Sequence, residues 1–281
     1  MTDTPRYAEL HAHSAFSFLD GASQPEELAA EAHRLGLSAL ALTDHDGLYG
    51  VVRFSEAARE VGLPTVFGAE LHLPVPGVAG PDVLDLPTGV PDPRALHLPV
   101  LARGPEGYRA LSRTIAEAHL ATGTKGAAAY RLEQLAEQGG GRWLVLTGCR
   151  KGPVRHALTD GGREPGVTAA GLERARAELD RLAALFGRDN VAVEVTQGGG
   201  PYDSELVDAL AELAAGARLP LVATGNVHYA TPRDADLAMA LAAVRARSSM
   251  EDLDGWLPGA PTAHLASAAE MLRRQDRKSV V

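Results

Sequence analysis

This chain has a single cysteine, a net charge that is not basic, and no long apolar run. Its single cysteine, Cys149, excludes an internal disulfide framework and fits a reducing compartment, so we expect a cytoplasmic protein. No apolar run approaches the roughly 20 residues that a membrane span requires, and Met1–Leu10 lacks the layout of a signal peptide. The formal net charge of −9 offers no broad basic face for nucleic acid. A phosphate substrate stays open, because bound metal ions can supply positive charge locally.

The order of apolar and amphipathic segments indicates the fold class. Short runs rich in Val, Leu and Ala alternate with longer helical patterns, which predicts an α/β protein with a parallel sheet. About seven such units favour a barrel over an open sheet. The predicted strands are Tyr7–His11, Ala39–Thr43, Thr65–Glu70, His97–Ala102, Trp143–Thr147, Val191–Val195 and Leu219–Thr224. The predicted helices are Pro25–Leu35, Val51–Val61, Pro105–Leu120, Thr168–Phe186, Ser204–Ala215 and Pro232–Ala246.

Two stretches interrupt this alternation. Pro74–Pro93 is dense in Pro, Gly and Asp, which indicates a surface excursion such as a hairpin. The alternation also ends after Ala246, and Arg273–Val281 has the composition of a frayed basic end. We therefore expect one domain over residues 1–272 and a short tail over residues 273–281.

His11 and His13 are the first chemical signal. Side chains two residues apart in an extended segment share a face, so the two imidazoles can bind one ion. Imidazole suits zinc, iron, manganese or nickel, although a His-x-His pair by itself is more often a coincidence. Asp20 follows in a loop of Ser and Phe residues that ends at Gly21, the kind of loop that a barrel uses at its catalytic face.

Two further signals follow predicted strands. Residues 43–47 read TDHDG directly after an apolar run, and ionisable residues at the carboxyl end of a barrel strand are usually functional. A hydrogen-bonded turn is the alternative for this segment. Glu70 ends the predicted strand Thr65–Glu70, so its carboxylate is expected at the same rim, with an ordinary exposed charge as the alternative.

Cys149 and His228 also close apolar runs, whereas His97 opens one and fits this pattern least well. A lone buried cysteine is more often a small hydrophobe than a ligand. Arg150 and Lys151 follow Cys149 and could steer a phosphate, but solvated loop charges are the favoured interpretation. Coincidence at all these positions is improbable, so the pattern favours a polynuclear metal site at one mouth.

Three sequence strings carry a family resemblance. Residues 9–23 read ELHAHSAFSFLDGAS, residues 42–50 read LTDHDGLYG, and residues 225–229 read GNVHY. From Tyr7 to about Met271 the chain resembles the polymerase-and-histidinol-phosphatase (PHP) superfamily of metal-dependent phosphoesterases. Within it, the strings are similar to the N-terminal domain of bacterial C-family DNA polymerase III alpha subunits, and the third string is typical of their error-prone branch.

The resemblance implies a distorted seven-stranded, TIM-like (β/α) barrel with a metal site at its C-terminal mouth. Up to three divalent metals (zinc, manganese or iron) would hold a bridging hydroxide that hydrolyses a phosphoester. Carried over by position, the implied ligands are His11, His13, Glu70 and Asn226 for the first metal, Glu70, His97 and Cys149 for the second, and Asp20, His45 and His228 for the third.

Asn226 departs from the catalytically competent pattern, in which an aspartate precedes the final histidine by two residues. A carboxamide is neutral, so the first metal would lose a full negative charge. The polymerase palm, thumb and fingers are expected to be absent from a chain of this length. The motif Asp234-Ala235-Asp236 imitates the palm's paired aspartates but falls in the first turn of a predicted helix, where acidic residues are favourable.

Three functions remain open at this point. The chain is an active phosphoesterase, a non-catalytic structural module of a polymerase, or a free-standing phosphatase of the histidinol-phosphate type. The polymerase-like strings disfavour the third, and Asn226 shifts weight from the first to the second. The expected partners are a phosphoester substrate and, in a full-length protein, the remaining polymerase domains and DNA, with no membrane.

Overall fold

Seven strands form one sheet in the residues that the computed structural model describes, which are 6–75, 95–123, 128, 130–162, 166–253, 256 and 261–275. Each strand neighbours the next one along the chain. All seven predicted strands are present, and only the third departs from its predicted bounds by more than two residues. The strands are β1 (Ala8–Glu9), β2 (Ala39–Leu42), β3 (Thr65–Pro74), β4 (Ala95–Ala102), β5 (Trp143–Leu146), β6 (Val191–Val195) and β7 (Leu221–Ala223).

Helices follow most of the strands, as the alternation predicts. They are α1 (Pro25–Arg34), α2 (Val51–Val61), α3 (Gly104–Thr122), α4 (Leu132–Gly139), α5 (Pro153–Leu158), α6 (Ala169–Phe186), α7 (Asp203–Ala217), α8 (Ala235–Ala246) and α9 (Ala268–Gln275). The sequence does not predict α4, α5 and α9, because segments of six to eight residues are too short to establish a helical period. The predicted helix Pro232–Ala246 is a 3₁₀ turn, Pro232–Asp234, followed by α8.

Strand β4 runs antiparallel to both of its neighbours, so the prediction of a wholly parallel sheet is wrong there. Strand β3 continues past Glu70 to Pro74 and pairs with β4 from Pro74 opposite Ala95 to Gly68 opposite Leu101. The two strands thus form the arms of a hairpin, as the excursion Pro74–Pro93 suggests, although residues 76–94 lie outside the described residues. The reversal brings the beginning of β4 to the mouth.

The two ends of the sheet meet through residues that follow β1 and β7. The amide of His13 donates to the carbonyl of Val227 at 2.8 Å, and the amide of Val227 donates to the carbonyl of His11 at 2.9 Å. This parallel bridge between Ala12 and Val227 curls the sheet upon itself. The predicted distorted seven-stranded α/β barrel architecture is confirmed, and its closure places residues 11–13 beside residues 226–228.

Alternation along the strands separates an outer core from a small inner one. On β2, Leu40 and Leu42 pack outward against α1 and α2, while Ala41 points into the curled sheet. Inside, Ala41 meets Leu101, Leu146 and Ala192, which are all nearly or fully buried. These apolar side chains form the inner core of the curled sheet, and the polar residues of the mouth follow the same strands.

Helix α9 extends into the segment that the sequence assigns to a frayed tail. Arg274 donates to Glu270 Oε1 at 2.5 Å and to the carbonyl of Thr262 at 2.9 Å, so its guanidinium is anchored. The prediction of a frayed end is therefore wrong for residues 273–275, whereas residues 276–281 lie outside the described residues. Among the helices described, none has the length and apolar character needed to cross a membrane.

Candidate metal centre

His11 and His13 project into the mouth from the extended segment after β1, and both are fully buried. Their Nε2 atoms lie 3.1 Å apart, which confirms that residues two apart share a face. Ala12, between them, packs outward into the apolar cluster under α1 and α2. The local pattern therefore separates ligand-type side chains from core side chains residue by residue.

Glu70 is the centre of the cluster. Its Oε1 lies 3.0 Å from His11 Nε2, and its Oε2 lies 2.7 Å from His97 Nδ1 and 3.1 Å from His45 Nδ1. The carboxylate is 1% exposed. The prediction that Glu70 ends its strand is wrong, because β3 continues as the arm of the hairpin. His97 opens an apolar run for the same reason: on the reversed strand β4, the first residues lie at the mouth.

Asp20 is the centre of a second group of contacts at the mouth. Its Oδ2 lies 2.7 Å from His45 Nε2 and 3.3 Å from His228 Nδ1. Its Oδ1 accepts a hydrogen bond from Arg245 of α8 at 2.7 Å. The Arg245 guanidinium also lies 5.2 Å from the Trp256 ring centroid, a cation–π distance. Sequence reasoning missed Arg245, since no strand-end pattern marks a residue that reaches the mouth from a helix.

Cys149 and Asn226 complete the predicted set. Cys149 lies in the turn after β5, where Gly148 adopts a φ of 84°, and its sulfur, a Glu70 oxygen and a His97 nitrogen lie within 4.8 Å of one another. Asn226 lines the same cavity as Glu70, Cys149 and His228. The structure thus brings all nine residues predicted as ligands to one mouth.

The cavity above the cluster has a volume of about 580 Å³. Arg150 and Lys151 line it, with Arg150 exposed and Lys151 half-buried. Asp44 supports the loop that carries Asp20, because its carboxylate accepts hydrogen bonds from the hydroxyls of Ser14 (2.8 Å) and Ser17 (2.7 Å). For Asp44, the alternative of a hydrogen-bonded turn residue is the correct one.

The charges of the cluster are strongly coupled. Burial alone would raise the pKa of Glu70, but His97 and His11 hold it well below its usual range. Burial would lower the pKa of His45, yet Asp20 and Glu70 outweigh it and raise that pKa to about 10. Burial lowers the pKa of His97 to about 3, against the attraction of Glu70. It also lowers the pKa of His13, so His13 and His97 are neutral imidazoles, the form that binds metal ions.

Two buried carboxylates missed by sequence reasoning support the histidines. Glu194 on β6 lies 2.7 Å from His11 Nδ1 through its Oε1 and accepts a hydrogen bond from the Thr224 hydroxyl. Glu9 accepts from the amide of His11 at 2.9 Å and from that of Gly225 at 2.7 Å, which ties the His11 segment to the Asn226 loop. For Glu194, a charged residue inside an otherwise apolar predicted strand was the available signal.

The donor set fits divalent cations. Buried polar atoms are normally hydrogen-bonded, but within the described part of the chain His97 Nε2, Asn226 Oδ1 and Glu194 Oε2 have no hydrogen-bond partner. Imidazole, carboxylate and thiol groups are ligands for zinc and related transition metals. Three triads could hold an ion: His11, His13 and Glu70; Glu70, His97 and Cys149; and His45, His72 and His97.

Comparison with known proteins gives two kinds of match. An error-prone DNA polymerase of Nocardia farcinica is 51% identical in an alignment 298 residues long, gaps included, that covers 96% of this chain and 26% of the relative. One from Mycolicibacterium paratuberculosis is 56% identical over 267 residues, which cover 95% of this chain and 23% of the relative. This chain therefore spans about a quarter of the length of these relatives.

Solved structures with similar folds are more distant in sequence. A candidate metal-dependent phosphoesterase of Bifidobacterium adolescentis superposes with a TM-score of 0.52 at 18% identity, covering 80% of this chain and 88% of that one. An amidohydrolase of Chromobacterium violaceum gives 0.51 at 16% identity, covering 79% and 87%. At these identities the likeness concerns the fold alone. The family model of the PHP domain matches residues 9–198, which is more than half of the chain, and the chain therefore belongs to the PHP domain family.

Proposed function

We propose that this chain is the PHP domain of an error-prone DNA polymerase and that its mouth binds divalent metals at a phosphoesterase-type site. The observation that carries the proposal is the convergence of the predicted ligands on Glu70, which contacts His11, His45 and His97 within 3.1 Å. The identity of 51–56% with error-prone polymerases over about 95% of the chain supports the context. We also propose that, in a full-length protein, the remaining polymerase domains and DNA are partners of this domain and that the protein is cytoplasmic.

We propose three cation positions, which are those that the family pattern implies. When bound, zinc, manganese or iron would activate water and neutralise the charge of a phosphoester. Arg150 and Lys151 at the cavity wall could attract the phosphate. The proposed ligands are His11, His13, Glu70 and Asn226 for the first position, Glu70, His97 and Cys149 for the second, and Asp20, His45 and His228 for the third.

The chain's own residues prepare these positions in different ways. Glu194 accepts from His11 Nδ1 and so leaves His11 Nε2 facing Glu70, in the manner of carboxylates that orient metal-bound histidines. Burial and the nearby Glu70 raise the pKa of the Cys149 thiol to about 11. Because the thiolate is the metal-binding form, occupancy of the second position must release a proton.

A non-catalytic structural role is the second candidate, and two observations favour it. Asn226 brings no charge to the first position, and Arg245 holds one oxygen of Asp20 at the third. Both features reduce the negative charge available to cations, so we expect weak hydrolysis or none. A free-standing phosphatase of the histidinol-phosphate type is disfavoured, because the matched relatives are polymerases about four times as long as this chain.

Metal analysis combined with a hydrolysis assay tests the proposal. The purified chain is dialysed against Zn²⁺ or Mn²⁺, its metal content is measured, and hydrolysis of an aryl phosphate and of a single-stranded oligonucleotide is followed. Bound metal with hydrolysis that Glu70→Gln abolishes supports the phosphoesterase. Bound metal without hydrolysis supports the structural module. A chain that binds no metal at micromolar concentrations contradicts both forms of the proposal.

A further inference from the structure

His72 lies beside the candidate centre but has no place among the nine predicted ligands. It follows Glu70 by two residues on β3, so both side chains are on the same face of the strand. It is also paired directly with His97 across the antiparallel ladder. The His72 ring centroid lies 4.5 Å from that of His97 and 4.8 Å from that of His45. The hairpin thus adds a third imidazole to this side of the mouth.

Asp46 fixes the orientation of His72. One carboxylate oxygen, Oδ2, lies 2.5 Å from His72 Nδ1, and the other accepts from the backbone amide of His72 at 3.0 Å. The amide of Asp46 in turn donates to the carbonyl of Glu70 at 3.0 Å, so the aspartate is tied to the strand that carries both residues. A carboxylate on Nδ1 leaves the lone pair of a neutral imidazole on Nε2, which is the usual arrangement of a metal-bound histidine.

The three rings are close enough to share an ion. One ring nitrogen each of His45, His72 and His97 lies within 4.8 Å of the others. Within the described residues, His97 Nε2 is buried and has no hydrogen-bond partner, although its other nitrogen contacts Glu70. The His72 side chain is 25% exposed, compared with 7% for His97. An ion held here would therefore have water on its open side.

We propose that His45, His72 and His97 form a further divalent-cation position, beyond the three that the family pattern implies. Three imidazole ligands with a free coordination place are typical of zinc and disfavour magnesium, which prefers oxygen ligands. The position shares His97 with the second proposed site and His45 with the third. An imidazole binds a metal through one nitrogen lone pair. A cation at this position therefore takes His97 from the second proposed site and His45 from the third, so it is an alternative to those sites.

Diffraction tests this position directly. Crystals of the full chain are soaked with one equivalent of Zn²⁺, and anomalous scattering is recorded at the zinc edge. The proposal expects a zinc peak about 2.0–2.1 Å from a ring nitrogen of His72. Zinc peaks confined to Asp20, His45 and His228, or to Glu70 and Cys149, with His72 still bound only to Asp46, overturn it.

Matched variants test the same claim in solution. His72→Gln should weaken the binding of the first Zn²⁺ at least tenfold, and Asp46→Asn should weaken it less. His119→Gln is the control. His119 Nε2 also contacts Asp46, at 2.8 Å from the Asp46 backbone carbonyl oxygen, but His119 lies outside the triad. Equal zinc affinity in His72→Gln and wild type contradicts the proposal. If His72→Gln fails to fold, the diffraction result on the wild-type chain decides.

The inference rests on the proposed function only in requiring that the mouth bind cations, and the two can fail separately. Zinc on His72 without phosphoester hydrolysis supports the further position and counts against catalysis. Hydrolysis with zinc on the nine predicted ligands alone supports the proposed function and rejects a role for His72.

Discussion

Asn226→Asp would restore the carboxylate that the catalytically competent family pattern has at this position. Asn226 Oδ1 is buried, has no hydrogen-bond partner among the described residues, and belongs to a side chain that lines the cavity with Glu70. The substitution preserves shape and adds one negative charge. We expect tighter binding of metal at the first proposed position and a higher total metal content.

The size of the effect follows from two opposing energies. A unit charge about 4 Å from another contributes about 4 kcal/mol at an effective dielectric constant of 20, and a divalent ion roughly doubles that. Burying a carboxylate costs several kcal/mol. Much of this attraction is offset in metal binding, because a carboxyl buried in the metal-free fold tends to hold a proton that the metal must displace. We expect a net gain of about 1.4–2.8 kcal/mol, or about 10- to 100-fold in affinity. Without metal, this burial cost is not offset, so the variant should be less stable than wild type by several kcal/mol.

The variant is therefore expected to have opposite effects in two states. Calorimetry in a chelator should give a lower melting temperature than wild type, by about 2–4 °C for each kcal/mol, and Zn²⁺ should raise the melting temperature more than in wild type. Competition with a chelator gives the affinity. The control is Asn190→Asp, which adds the same charge beside Arg103, away from the mouth. Unchanged affinity together with an unchanged melting temperature would show that residue 226 does not face a cation.

Three further predictions follow from the same contacts. Glu194→Gln should weaken Zn²⁺ binding about 10- to 100-fold, since it removes the charged partner of His11 Nδ1; chelator competition measures this, and an unchanged affinity would refute an orienting role. The metal-free protein should lose stability as pH rises from about 7 to about 9, because the pKa of His45 is raised to about 10 in the fold against 6.5 unfolded, and its contribution is complete only below the unfolded value; urea unfolding should show this slope in wild type and a flatter one in His45→Gln. The purified chain should not extend a primed DNA template, since the paired aspartates Asp234 and Asp236 lie at the start of α8 and Asp234 binds Thr231; nucleotide incorporation free of contaminating polymerase would refute this.

Much of the fold could be predicted because the apolar runs and helical periods agree with one another. Strand direction could not, since an apolar run looks the same in either direction. His97 stands at the start of its apolar run because β4 is reversed and its first residues reach the mouth. The same reversal accounts for Glu70, which lies within β3 because the strand continues into the hairpin arm.

The residues gathered at the mouth differ in the same way in how far the sequence could predict them. Those that follow strands, such as His45 and His228, could be found from local pattern alone. Arg245 could not, because it approaches Asp20 from α8 and only the tertiary packing brings the two together. His72 and Glu194 lie between these cases. His72 is two residues from Glu70, and Glu194 is a charge within an apolar strand, so both had a local signal whose meaning depends on which face of the sheet is enclosed.

The metal content of the chain tests the central claim most directly. Wild-type protein and Glu70→Gln are saturated with Zn²⁺, freed of loosely bound ions by dialysis, and analysed by elemental mass spectrometry. Because Glu70 contacts three of the proposed histidine ligands, we expect at least one tightly bound zinc per wild-type chain and a clear loss in the variant. Wild-type protein without bound zinc, or equal content in a folded Glu70→Gln variant, would contradict the proposal that this mouth is a metal centre.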